Sequence, residues 1–100
     1  MIATLVGIQV DDTSGYTTYR EQMTPLLLEH GGAFGVDVRV AEVLKPGDSG
    51  GFNRLFTICF PSAAHRDAFF SDPRYVAVRK EWFEPSTSNT ALLGTYSVLS

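Results

Sequence analysis

The sequence predicts an α+β fold in which one antiparallel sheet carries helices on a single face. Three observations support this. Apolar residues alternate with period two in three separate segments, and a fourth strand, residues 90–99, closes the chain. Between the first and second of these, and between the third and fourth, apolar residues recur instead at three- and four-residue spacing, as they do along one face of a helix. Only a turn-forming stretch rich in Pro, Gly and Ser joins the two middle segments.

In residues 2–10, Ile2, Thr4, Val6, Ile8 and Val10 alternate with Ala3, Leu5, Gly7 and Gln9, which gives a strand with apolar character on both sides. Residues 11–15 break it. Thr13 or Ser14 is expected to cap a helix in which Tyr16, Tyr19, Met23, Leu26 or Leu27, and His30 share a face, with Gly31-Gly32 as its stop. Pro25 falls inside that helix. An interior proline removes a bond to the preceding turn at a cost of ~3 kcal/mol, so a kink or a fresh helix start is expected there.

The second strand, residues 33–44, places Phe34, Val36, Val38 and Val40 on one side and Gly35, Asp37, Arg39, Ala41 and Val43 on the other. Residues 46–51 form a turn. The third strand, residues 54–60, sets Arg54, Phe56, Ile58 and Phe60 against Leu55, Thr57 and Cys59. Ser62 is expected to cap a helix, and Asp72-Pro73 to open another, because proline at the first helical position lacks only an N–H that would be unpaired anyway. Tyr75, Val76, Val78, Arg79, Trp82 and Phe83 continue at helical spacing as far as Pro85, and a last strand spans residues 90–99.

The order strand, helix, strand, strand, helix, strand is that of the ferredoxin-like arrangement, βαββαβ, in a single domain covering residues 1–100. Helices can cover one face of such a sheet. Leu5, Leu55, Cys59, Ala41, Val43 and Leu93 make the other face apolar too, and a second copy packed sheet against sheet is the expected cover. The chain's partner is therefore predicted to be itself, as a homodimer.

Composition excludes several classes. A formal charge of -3, with the lysines and arginines scattered, offers no basic stripe for a phosphate backbone, so nucleic acid is not an expected partner. Apolar runs fall far short of the roughly 20 residues that span a bilayer, and the amino terminus shows no basic segment leading into a hydrophobic one, so no membrane association is expected. The lone Cys59 cannot form an internal disulfide, which fits a reducing compartment and a cytoplasmic protein. Placed in a central strand, Cys59 is expected to be a buried, inert thiol. His30 and His65 have neither paired spacing nor a thiolate partner, so no metal site is expected, and the small-molecule reading calls for no dissociable cofactor.

Two fragments echo the surroundings of nucleophile and base in chymotrypsin-like serine proteases: Gly-Asp-Ser-Gly-Gly at 47–51 and Ser-Ala-Ala-His at 62–65. Ser49 precedes a seven-residue strand and His65 follows it, which separates them by about 20 Å at ~3.3 Å per residue, whereas a nucleophile and its base need ~3 Å. The echo is chance, and His65 is expected to be a solvated first-turn residue.

The candidate ligand-pocket residues are Tyr19, His30, Arg39, Arg54, Tyr75 and Trp82. Tyr19, Tyr75 and Trp82 lie on helix faces that look at the sheet, where they either fill the core or line a pocket with two hydroxyls and an indole. His30, in the last turn of the first helix, either stabilises that helix end or packs against the sheet, or enters the pocket as a proton carrier or haem ligand. Arg39 shares a strand side with Asp37, and Arg54 begins the adjacent strand, so these form edge ion pairs or an arginine fork for a carboxylate. Arg79, among apolar neighbours on the last helix, could hold a carboxylate in the same way.

The stretches "YREQMTPLLLEHGGAFGVD" (19–37), "VAEVLKPG" (40–47), "NRLFTICFPS" (53–62) and "AFFSDPRYVAVRKEWFEPS" (68–86) together resemble an uncharacterised family of small dimeric α+β-barrel proteins, catalogued as a domain of unknown function. The resemblance covers nearly the whole chain. It rests on the Gly-Gly after the first helix, the Phe-Pro-Ser after the third strand and the Asp-Pro-x-Tyr. It implies the ferredoxin-like fold and the dimer, and brings no established activity. The broader superfamily includes cofactor-independent monooxygenases, muconolactone isomerases and haem-degrading enzymes, whose activity lives in the pocket lining and does not transfer with the fold. Two readings follow: a small organic molecule bound between helices and sheet, either simply held or turned over by cofactor-independent monooxygenase- or isomerase-like chemistry, or a non-catalytic dimeric interaction or regulatory module, which a filled core would favour.

Overall fold

The computed structural model describes residues 1–99. Its elements are β1 (Ile2–Val10), α1 (Thr13–Glu29), β2 (Ala33–Arg39), β3 (Arg54–Phe60), α2 (Ala63–Ser71), α3 (Pro73–Val78), a π-helical segment (Arg79–Phe83), α4 (Glu84–Ser86) and β4 (Thr87–Ser97), with a single 3₁₀ turn at Gly47–Ser49. The four strands form one sheet in the order β2-β3-β1-β4, every neighbouring pair antiparallel. This is the ferredoxin-like βαββαβ topology, with the helices on one face.

Local chemistry sets where α1 begins and ends. Its cap is Asp12 rather than Thr13 or Ser14: Asp12 has extended backbone and its Oδ1 accepts the Gly15 N–H at 3.1 Å. Two further N–H groups, of Asp11 and Asp12, donate to the Ser86 carbonyl, which pins the start of α1 to the end of the C-terminal helical run. At the other end, Gly31 adopts φ +76°, the Gly32 N–H reaches the Leu27 carbonyl at 2.9 Å and the Gly31 N–H reaches that of Leu28 at 3.0 Å. These are the paired bonds of a Schellman stop, which requires a residue free of a Cβ penalty. The helix runs through Pro25 without starting anew. Pro25 is on the exposed side, where water can replace the missing bond to the Glu21 carbonyl.

The second strand departs from its sequence pattern in length and in facing. It ends at Arg39, not at residue 44, and a one-residue bulge falls between Phe34 and Asp37, which pair with Ile58 and Phe56. Three residues of β2 therefore span two of β3, and Phe34 and Asp37 end up on the same, helix-covered side. Val36 and Val38 lose the burial that strict alternation would have given them and are 63% and 44% exposed. The bulge is held from behind by Thr57, whose Oγ1 accepts the Val36 N–H at 2.9 Å. A Cβ on Gly35 would collide with that same oxygen.

In the second half, Ser62 caps α2 by accepting the His65 N–H, and Asp72 caps α3 with Pro73 at its first position. The helical run does not stop at Pro85: it widens into the π segment and closes through α4, and the last strand starts at Thr87 and ends at Ser97 rather than spanning 90–99. Tyr16, Tyr19, Met23 and Leu27 of α1 meet Phe69, Tyr75 and Phe83 of this run over Val6, Ile8, Phe56, Ile58 and Phe60 of the sheet. On the opposite face Leu5, Leu55 and Cys59 are half-buried, so Cys59 is not the fully buried thiol that its central position suggested. Phe52 lies over Gly7 on that face, within 2.7 Å of where a Cβ would sit.

Asp12→Ala should lower stability by about 1 kcal/mol, whereas Thr13→Ala and Ser14→Ala should each stay within about 0.5 kcal/mol. Urea denaturation of the three variants checks which residue is the cap.

Candidate functional site

The helices cover the sheet incompletely. Leu92 pairs with Val6 and so faces the helical side, yet it is 73% exposed. The gap is a cleft of about 400 Å³ between α1, the C-terminal helical run and the sheet. Its floor is Val6, Ile8, Phe56 and Ile58, its rim Thr90, Leu92 and Thr95 of β4, and its walls carry Tyr19, Tyr75 and three arginines, Arg20, Arg66 and Arg79. The size falls in the range of small-molecule sites.

Of the six residues singled out from sequence, Tyr19 and Tyr75 line this cleft and the other four do not. The two tyrosine hydroxyls lie 2.9 Å apart in a buried hydrogen bond. Burial, with Tyr75 beside it, pushes the Tyr19 phenol well above its ordinary range, and burial raises Tyr75 as well. Both are therefore neutral hydrogen-bonding groups near neutral pH. Trp82 packs against the core outside the cleft, and its buried Nε1 has no hydrogen-bond partner among the described residues. His30 caps the end of α1, with its Nε2 3.0 Å from Asp72 Oδ2 and its ring edge-on to Phe69. Arg39 and Arg54 lie instead at a separate, smaller hollow of about 220 Å³ with Val10, Thr13 and Asn53.

Arg54 nevertheless serves the cleft indirectly. Its Nε and Nη2 both bond Asp37 at 2.8 Å, and the same carboxylate accepts Arg20 Nη2 at 3.0 Å. The Arg54 bonds, with Arg20 close by, hold the Asp37 carboxyl below its usual range. Arg20 is thus fixed from several sides: its Nε donates to the Tyr16 hydroxyl at 2.9 Å, and its guanidinium stands 3.8 Å from the Phe34 ring centre and 5.0 Å from that of Phe56. Sequence reasoning missed Arg20 and Arg66. The available signal was spacing, since Arg20 follows Tyr16 by four positions and Arg66 precedes Phe69 by three, which puts each beside a buried aromatic.

The cleft can donate hydrogen bonds and present positive charge to a planar, mostly apolar guest. Among the described residues no carboxylate, histidine or thiol lines it, so it holds no evident general base. The protease echo has no counterpart: His65 Nδ1 lies 2.7 Å from the capping Ser62 Oγ, and Ser49 sits at the opposite end of β3, where Asn89 bonds its carbonyl at 2.9 Å. Among the described residues no cluster of three potential ligands could hold a metal ion, and no helix is long and apolar enough to cross a membrane.

Comparison with known proteins agrees with the topology. The family described as "Domain of unknown function (DUF1330)" matches residues 2–95. A protein of unknown function from Rhodopseudomonas palustris is similar in structure at a TM-score of 0.81 and 16% identity, over 99% of this chain and 82% of that one. SnoaB from Streptomyces nogalater, a cofactor-independent oxygenase, superposes at a TM-score of 0.63 and 9% identity, over 99% and 93% of the two chains. A dabb family protein with a ferredoxin-like fold from Mesorhizobium loti does so at 0.57 and 13% identity, over 99% and 97%. No curated protein matches the sequence.

The raised tyrosines fix the sign of an alkaline effect. Below pH about 10 the phenols are protonated in both folded and unfolded chains; above it the unfolded chain loses protons that the folded chain retains. Stability should fall as pH rises past about 10, and Tyr19→Phe should make that fall shallower at a cost near neutral pH of about 1 kcal/mol or less. Denaturation at pH 8 and 11, with phenolate absorbance followed in parallel, checks both.

Proposed function

Because the chain belongs to the DUF1330 family, whose description assigns no activity, its function has to be argued from the cleft, and we propose that it binds a small organic molecule between helices and sheet as a homodimer. The open cleft of about 400 Å³ with the neutral Tyr19–Tyr75 pair in its wall is the observation that carries this reading. A filled core would have favoured a non-catalytic interaction module, and the opening beside Leu92 removes that support.

The chemistry for which the cleft is equipped is stabilisation of a developing oxyanion by phenol and guanidinium donors in an apolar setting. That is the requirement shared by isomerisation through an enolate and by oxygenation of a substrate carbanion without a cofactor. With no general base in the lining, the reacting proton has to leave to water or to a group on the substrate itself. The likeness in fold to a cofactor-independent oxygenase is in keeping with this reading and lends it no residue.

The dimer rests on the uncovered sheet face. Val38, Leu93 and Tyr96 remain 44%, 40% and 50% exposed, beside the half-buried Leu5, Leu55 and Cys59. An apolar stretch of this kind is what sheet-on-sheet association buries.

Native mass spectrometry of freshly purified protein should show twice the 11.0 kDa chain mass and an additional non-covalent mass that disappears on denaturation. Tyr96→Glu and Val38→Glu, both at exposed positions, should give folded monomers. A wild-type monomer at micromolar concentration would end the dimer reading, and a cleft that takes up no small molecule, native or offered, would end the binding reading.

A further inference from the structure

Charge is distributed around the cleft in a way that the whole chain does not share. The protein carries eleven acidic residues against eight lysines and arginines, a formal charge of -3. Yet Arg20, Arg66 and Arg79 all line the cleft and no acidic residue does. From these observations we infer that the cleft selects a planar organic anion, with an aromatic or conjugated body and a single acidic head group; this rests on the reading of the cleft as a small-molecule site.

The three guanidiniums differ in how fully they are neutralised. Arg20 bonds Asp37, but Asp37 also takes both donors of Arg54, so two cations share one carboxylate and the group retains a net positive charge. Arg66 pairs through Nε with Asp67 at 3.1 Å, and Asp67 is 70% exposed at its side chain, so water and salt screen that pair strongly. Arg79 has no carboxylate within 4.0 Å among the described residues and stands 5.5 Å from the Phe83 ring centre. The cleft thus presents positive charge that its own side chains do not balance.

The surroundings strengthen this field. Phe34, Phe56, Phe70 and Phe83 line the same space, and an ion meeting a guanidinium between apolar walls is attracted more strongly than in water. The rings also accept a flat conjugated body by stacking, as the Phe34 ring already accepts Arg20. A neutral guest would use the rings and leave the charge unanswered, and a cation would be repelled. An anion with a flat body uses both.

Two fluorescent probes that differ in one group test this directly: 1-anilinonaphthalene-8-sulfonate and its neutral counterpart N-phenyl-1-naphthylamine. Each is titrated into the wild type, into Arg66→Gln/Arg79→Gln, into Lys80→Gln as a control that removes exposed charge outside the cleft lining, and into Leu92→Trp, which fills the cleft mouth from an exposed position. The sulfonate should bind about tenfold more tightly than the neutral probe at low salt. The double arginine variant should lose most of that advantage with neutral-probe affinity retained, Lys80→Gln should change either by less than about twofold, and Leu92→Trp should weaken both. Equal affinities that Leu92→Trp blocks, or a sulfonate preference that the double arginine variant leaves undiminished, would overturn the anion inference and leave the cleft reading standing. Binding indifferent to Leu92→Trp, or no binding of either probe, would overturn the cleft reading itself.

Discussion

The cleft depends on one shared carboxylate. Asp37 binds Arg20 from α1 and Arg54 from β3, and so ties the first helix to the edge of the sheet that faces it. It can do so only because of the bulge in β2. With unbroken alternation, Phe34 and Asp37 would point to opposite sides; with one extra residue between them, the ring and the carboxylate both meet the Arg20 guanidinium. The bulge in turn needs the Thr57 hydroxyl to take up the Val36 N–H, and a glycine at 35 so that the backbone can pass over that hydroxyl. A backbone irregularity behind the sheet thereby sets the position of a charged group in front of it.

The opposite wall is set by a second irregularity. Tyr75, Arg79 and Phe83 all face the cleft at intervals of four. In a regular α-helix of 3.6 residues per turn such a series drifts around the axis, and it does so less where the turn is wider. The π segment over Arg79–Phe83, where the Glu84 N–H reaches back to the Arg79 carbonyl, supplies that width. Trp82 lies in the same segment beside the core, its indole N–H without a partner among the described residues.

Regular elements were legible in the sequence, and irregular ones were not. The bounds of β1 and β3, the Gly31-Gly32 stop and the Ser62 and Asp72 caps all follow from short-range rules that act within a turn or a strand. The bulge does not, because Phe34, Val36, Val38 and Val40 present an unbroken alternation and only the Thr57 hydroxyl on another strand reveals where it fails. The cap of α1 was misplaced at Thr13 or Ser14 for a simpler reason: Asp12 is as competent a capping residue as either, and the entry path of the chain decides between them. Tyr19 and Tyr75 could be placed between helix and sheet from periodicity alone. Spacing could put Arg20 beside Tyr16, but its contacts with Phe34 and Asp37 could not be read, since these reach it only through the bulge.

The acidic residues show why the cleft can be positive in a negatively charged chain. Several of them are engaged in shaping the backbone. Asp12 caps α1, Asp37 clamps Arg20, and Asp72 caps α3 while accepting Arg74 and His30 across the junction with α1. Those bonds, with Arg74 foremost and His30 next, hold the Asp72 carboxyl far below the usual carboxylate range. Arg74 extends the same tie to Glu29 at 2.8 Å, so the end of α1 and the start of α3 are joined by charge. Carboxylates hold the helices together where they meet, and among the described residues none lines the cleft beside Leu92. Of the arginines at that opening, Arg20 shares Asp37 with Arg54, Arg66 has only the exposed Asp67, and Arg79 has no carboxylate within 4.0 Å among the described residues, so the opening keeps positive charge.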